Sequence, residues 1–118
     1  MKKYHFLLIV IILMILNLQF RVYGTEEAER LFEKGLKYYQ LAKYKEAIDS
    51  FTKALELNPE YGEAYNNRGL AYDAKGEYDL AIEDFDKVIE LYPDFPGAYY
   101  NRGLVYGVTS KYDLAIKS

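Results

Sequence analysis

The chain has 118 residues, room for one small domain, with 15 Lys and Arg against 18 Asp and Glu. Residues 1–24 hold Lys2, Lys3 and Arg21 and no acid; taking those three from the 15 bases leaves 12 against 18 acids, a formal charge of −6 for the rest. An acidic body without a basic stripe is poorly built to hold nucleic acid, whose affinity comes largely from Lys and Arg on phosphates. Cysteine is absent, which excludes disulfides and thiolate sites, and the single histidine, His5, lies in the first segment. Residues 25–118 therefore lack the two side chains most used for nucleophilic and general-base work, and no enzyme activity, metal or cofactor is expected.

Met1–Tyr23 reads as an export signal. Lys2 and Lys3 form a short positive end, Phe6–Leu16 is an unbroken apolar run, and Val22-Tyr23-Gly24 has compact residues at cleavage spacing. The run is shorter than the roughly 20 apolar residues of a spanning helix. Cleavage is expected after Gly24 (signal 1–24), which places the rest outside the cytoplasm, secreted or periplasmic. The competing reading is a membrane anchor over residues 6–20, because Leu18 and Phe20 carry the apolar face past Asn17. Thr25–Glu27 reads as a polar joint.

The remainder repeats itself every 34 residues. Gly35, Gly69 and Gly103 fall in step, as do Tyr38, Tyr72 and Tyr106; Ala47, Ala81 and Ala115; and Pro59 with Pro93. Such a period marks a stacked array, here with units at 28–61, 62–95 and 96–118. Each unit reads as two helices. In the middle one, Tyr65, Gly69 and Tyr72 share one helical face, Gly76-Glu77 interrupts, and Ala81, Ile82, Phe85, Val88 and Ile89 form the next face up to Pro93. Glycine inside a helix costs roughly 1 kcal/mol relative to Ala, so its place in the same slot of every unit predicts close approach of the paired helix, at Ala47, Ala81 or Ala115. Lys43, Glu77 and Lys111 are weak starts for the second helices.

The run Tyr65, Gly69, Tyr72, Gly76, Tyr78, Ala81, Phe85 and Pro93 in a 34-residue unit resembles the tetratricopeptide repeat, TPR, in a variety marked by Asn67-Arg68-Gly69 and Asn101-Arg102-Gly103. The resemblance implies an all-α, right-handed superhelical array of antiparallel hairpins, two full repeats and a truncated third, that binds a peptide segment or helix of another protein without catalysis. The first helices would line the groove, with Glu29, Phe32, Glu33, Leu36, Tyr39 and Gln40; Glu63, Asn66, Asn67, Leu70, Asp73 and Ala74; and Gly97, Tyr100, Asn101 and Leu104 facing it. Ala42 and Ser110 stand where the family has its turn glycine.

Asn67 and Asn101 share a slot and are similar to the asparagine ladders that grip a peptide backbone. Leu36, Leu70 and Leu104, with Phe32 and Tyr100, form an apolar floor. The carboxylate clamp of chaperone-binding members is not expected, because its slots hold Phe32, Leu36, Asn67, Gly97 and Asn101. Arg68 and Arg102 read as snorkelled stems with their heads on nearby acids, and Glu83, Asp84 and Asp86 as solvated surface. The third unit bends at Ser110-Lys111 in this reading. Its second helix, Tyr112–Ser118, is too short to hold alone, which predicts fraying after Lys111 and an apolar strip over Phe85, Ile89 and Tyr106 that drives self-association.

Overall fold

The computed structural model of the chain describes residues 2–117, without the side chains of residue 112 and residues 114–117. Among the described residues there are five helices and no strand: α1 (Lys2–Gln40), α2 (Tyr44–Leu57), α3 (Gly62–Ala74), α4 (Tyr78–Leu91) and α5 (Ala98–Lys117). Each packs mainly on its neighbours in sequence, α1 on α2, α2 on α3, α3 on α4 and α4 on α5. Stability in such an array is a sum of local interfaces. The molecule measures 83 × 29 × 21 Å, because the first part of α1 projects beyond the bundle with its apolar side chains exposed.

The periodic residues supply the core. α2 buries Ala47, Ser50, Phe51, Ala54 and Leu55, and α4 buries Ala81, Asp84, Phe85 and Val88, so the same slots point inward in both. Pro59 and Pro93 follow the C-caps Asn58 and Tyr92, where a missing N–H costs nothing to a helix already ended. Lys43 and Glu77 start α2 and α4 without any side-chain capping bond; packing, not capping, sets those ends. The reversals differ in chemistry. Gly76 takes φ +78°, natural for glycine, whereas Ala42 is held at φ 57° in the corresponding turn of the first hairpin.

The close approach at the glycine seam is present, but with a different partner. A Cβ on Gly35 would lie 2.5 Å from Cε1 of Phe51, and one on Gly69 2.7 Å from Cε1 of Phe85. The seam is therefore a ring seated on a bare backbone, not glycine against Ala47 or Ala81. Gly103 meets no described atom within 4 Å, and the side chain of Ala115, its expected partner, lies outside the described residues.

Three further expectations are corrected. Thr25–Glu27 is helical, part of an α1 that runs without interruption from Lys2. The Thr25 hydroxyl donates back to the Arg21 and Val22 carbonyls at 3.2 and 2.8 Å, and Glu27 pairs with Arg30 one turn on. No bend occurs at Ser110-Lys111, since α5 continues through both residues to Lys117. The lack of glycine and proline at 108–116 does not by itself account for this, since residues 36–58 lack both as well and the chain still turns at Ala42. Phe85 is fully buried in a cluster with Ala81 and Val105, and Ile89 is half-buried, so of the expected apolar strip only Tyr106 is openly exposed.

Asp84 is not solvated surface. It is 4% exposed and takes a two-pronged ion pair from Arg68, whose Nε and Nη2 donate to its two carboxylate oxygens at 2.8 and 2.7 Å. Burial pushes the Asp84 carboxyl up, and the Arg68 hydrogen bonds oppose that rise. Arg68 also donates to the Thr52 hydroxyl at 3.2 Å and lies between the rings of Tyr65 and Tyr72. One guanidinium thus ties α3 to both α2 and α4. Arg102 repeats half of this, donating to Asp86 at 2.8 Å between Tyr99 and Tyr106. The expectation that both arginines rest on nearby acids holds.

Candidate peptide groove

The first helix of each pair forms one side of the array. Along it α1 meets α3, and α3 meets α5, only sparsely, which leaves a furrow between successive first helices. At its upper end lies a pocket of about 510 Å³ lined by Thr25, Glu29, Phe32, Glu33, Leu36, Asn58, Tyr61 and Glu63. Five of these, Glu29, Phe32, Glu33, Leu36 and Glu63, are groove positions expected from the sequence.

Phe32 is the floor and not a free surface. It is 8% exposed, with its ring 5.7 Å from Phe51 and 5.0 Å from Tyr61, centroid to centroid. Leu36 packs half-buried beside it. Tyr61, the last residue of the first unit, belongs to the α2–α3 connection and closes the pocket from there. Its phenol is pushed up, first by burial and then by the charges of Glu63, Glu29 and Glu33. Those three carboxylates therefore act on the same hydroxyl from two helices. Sequence reasoning passed over Tyr61 and Asn58. A signal for Tyr61 was present, since Phe95 stands 34 residues later in the same slot.

The remaining expected residues lie on α1, α3 and α5 outside this pocket. Tyr39 stands edge-on to Tyr44, centroids 5.4 Å apart, and its phenol is raised by burial, then by Tyr44 and Asp73. Leu70 is half-buried against the second core cluster. Asp73 is half-buried as well, while Tyr100 and Leu104 are 69% and 52% exposed. The asparagines are partly spent within the protein. The Asn67 amide donates to the Glu63 carbonyl at 2.8 Å, and that of Asn101 to Asn66 Oδ1 at 3.1 Å across α3 and α5. Each keeps a second amide hydrogen and its carbonyl for a ligand.

The family model for the tetratricopeptide repeat matches residues 62–95 and another of that description residues 85–117, while a TPR repeat model matches 35–76. Among solved structures, the first TPR of Spaghetti (RPAP3), bound to the HSP90 peptide SRMEEVD, is 32% identical with a TM-score of 0.71 over 79% of this chain and 76% of that one. The chain belongs to the tetratricopeptide repeat family. The crystal structure of MamA is 37% identical, TM-score 0.70, over 80% of this TPR chain. The present chain spans about half of it, 54%. The TPR domain of Arabidopsis OM64 is 26% identical, TM-score 0.73, over 76% of this chain and 74% of that one. No curated protein sequence matches. The architecture is a TPR solenoid, and the class is that of protein-interaction modules.

Proposed function

We propose that this TPR chain captures a peptide segment or helix of another protein along α1, α3 and α5, by equilibrium binding and without bond chemistry. The observation that carries this reading is the furrow itself: an aromatic and aliphatic floor at Phe32, Leu36 and Tyr61, continued by Leu70, Tyr100 and Leu104, beside asparagine amides with unspent donors. Apolar anchors in pockets with a polar rim are the usual source of peptide affinity. The TPR structures of RPAP3 in complex with HSP90 and HSP70 peptides support it by likeness. The test is fluorescence anisotropy of the full chain in mild detergent against labelled ten-residue peptides. Tyr100→Asp with Leu104→Asp, both exposed, should abolish binding and leave the melting temperature unchanged; affinity indifferent to the pair overturns the reading.

The repeats stand outside the cytoplasm in this proposal, delivered by the N-terminal apolar segment. The segment is a signal cleaved after Gly24 or, as the alternative, a membrane anchor over residues 6–20. An 18-residue window of α1 has a mean hydropathy of 2.2 and none of it is buried, and Gly24 is helical on both sides. The intact mass of the chain in the membrane fraction decides between the two. Self-association is the second reading, favoured by the exposure of Tyr99 and Tyr106 on α5; sedimentation at tens of micromolar tests it.

A further inference from the structure

Charge divides the furrow from the rest of the molecule. The expected groove positions include Glu29, Glu33, Glu63 and Asp73 and not one Lys or Arg. Elsewhere some acids have cations, as Glu27 with Arg30, Asp49 with Lys53, Asp84 with Arg68 and Asp86 with Arg102, and others such as Glu46, Glu56 and Glu83 stand on helices that also carry Lys. None of Glu29, Glu33, Glu63 or Asp73 is in an ion pair among the described residues. Three of them rim the 510 Å³ pocket above Phe32, Leu36 and Tyr61.

We infer that the groove selects a basic peptide, with a lysine or arginine side chain seated in the pocket between α1 and the start of α3. This rests on the groove reading above and names its occupant. A long basic side chain lays its methylenes on apolar surface and keeps its charge at the rim, which matches a floor of Phe32 and Leu36 under a rim of carboxylates. The Tyr61 ring offers a face to the cation. The Tyr61 phenol is raised first by burial and then by Glu63, Glu29 and Glu33, and the second part agrees with a negative potential there. An acidic peptide meets the opposite. The RPAP3 structures hold SRMEEVD and SGPTIEEVD, each with two successive glutamates, and such a segment would bring like charges to this pocket. Rim carboxylates facing unpaired cations give specificity as much as affinity.

The experiment uses the full chain in nonionic detergent and three labelled ten-residue probes that alternate leucine with lysine, glutamine or glutamate. Three exposed rim pairs of ordinary strength amount to about a tenfold preference at low salt. The lysine probe should bind at least that much tighter than the glutamine probe, and the glutamate probe weakest. Glu29→Gln, Glu33→Gln and Glu63→Gln together should erase the preference. Glu46→Gln, Glu56→Gln and Glu83→Gln, the same charge change on α2 and α4, should leave it. Equal affinity for lysine and glutamate probes, with Tyr100→Asp and Leu104→Asp abolishing both, overturns the charge selection and leaves the groove standing. A preference equally affected by the two triple variants overturns it too. Failure of all three probes to bind overturns the groove reading and this inference with it.

Discussion

Gly69 and Gly103 occupy the same slot of successive repeats, with Asn-Arg before and Leu after, yet they have opposite surroundings. At Gly69 the Phe85 ring fills the place of a Cβ; at Gly103 no described atom comes within 4 Å. The neighbouring arginines divide the same way. Both lie against two tyrosine rings, but Arg68 is pinned by a buried carboxylate and a hydroxyl, while Arg102 holds the half-exposed Asp86. A repeat slot is thus a statement about a neighbour. Glycine is a socket where a second helix brings a ring to it, and an ordinary helical liability where none does.

That contrast can be broken by measuring the unfolding of seven variants in denaturant. The largest effect belongs to Phe85→Ala. Loss of a fully buried ring should cost about 3–5 kcal/mol, and a loss below about 1 kcal/mol would mean that the socket is not the joint of the second hairpin. Next, Asp84→Asn leaves the Arg68 guanidinium without its countercharge and should cost about 2–3 kcal/mol. Asp86→Asn, which removes an exposed pair, should cost under about 1 kcal/mol; equal losses would erase the distinction between the two arginines.

The glycines themselves should change sign. Gly69→Ala gains about 1 kcal/mol of helix propensity but drives a methyl into a ring with no exposed surface, an overpacking of about 1–3 kcal/mol, for a net loss of up to about 2 kcal/mol. Gly103→Ala keeps the gain without the clash and should stabilise by up to about 1 kcal/mol. The same sign at both sites would refute the socket. The smallest effect lies in the turns. Ala42 carries the left-handed conformation that Gly76 takes freely, so Ala42→Gly should stabilise by about 0.5–1 kcal/mol. Ser110→Gly, inside the continuous α5, should destabilise by a similar amount. A loss in Ala42→Gly would show that the first turn is set by something other than its φ.

Most of the architecture was legible from local signals. Period 34 marked the units, the three- and four-residue spacing of Ala81, Phe85 and Val88 predicted a buried helical face, and Pro59 and Pro93 marked helix ends. These are properties of a segment and its nearest neighbours, and a solenoid is stabilised almost wholly by such contacts. The groove was legible in part for the same reason: Phe32, Leu36 and Glu63 occupy known faces of known helices. Tyr61 and Asn58 escaped because they lie in a connection, and only the fold of that turn brings them over α1.

What the sequence by itself determined is the repeat, the paired helices, the negative charge of the body and the glycine slot, since each follows from periodicity or composition. Tertiary structure alone decided the rest. Which atom fills the glycine slot depends on how deeply two helices approach, and that made the partner Phe51 or Phe85 and not the smaller alanine. Asp84 and Asp86 look alike in a row of acids, but one turns toward Arg68 and is buried while the other stays in water. A reversal at Ser110-Lys111 needs a packed second helix to hold it, as the first hairpin holds even Ala42 left-handed; α5 instead runs on to Lys117, since continuing a helix adds a hydrogen bond for each residue fixed.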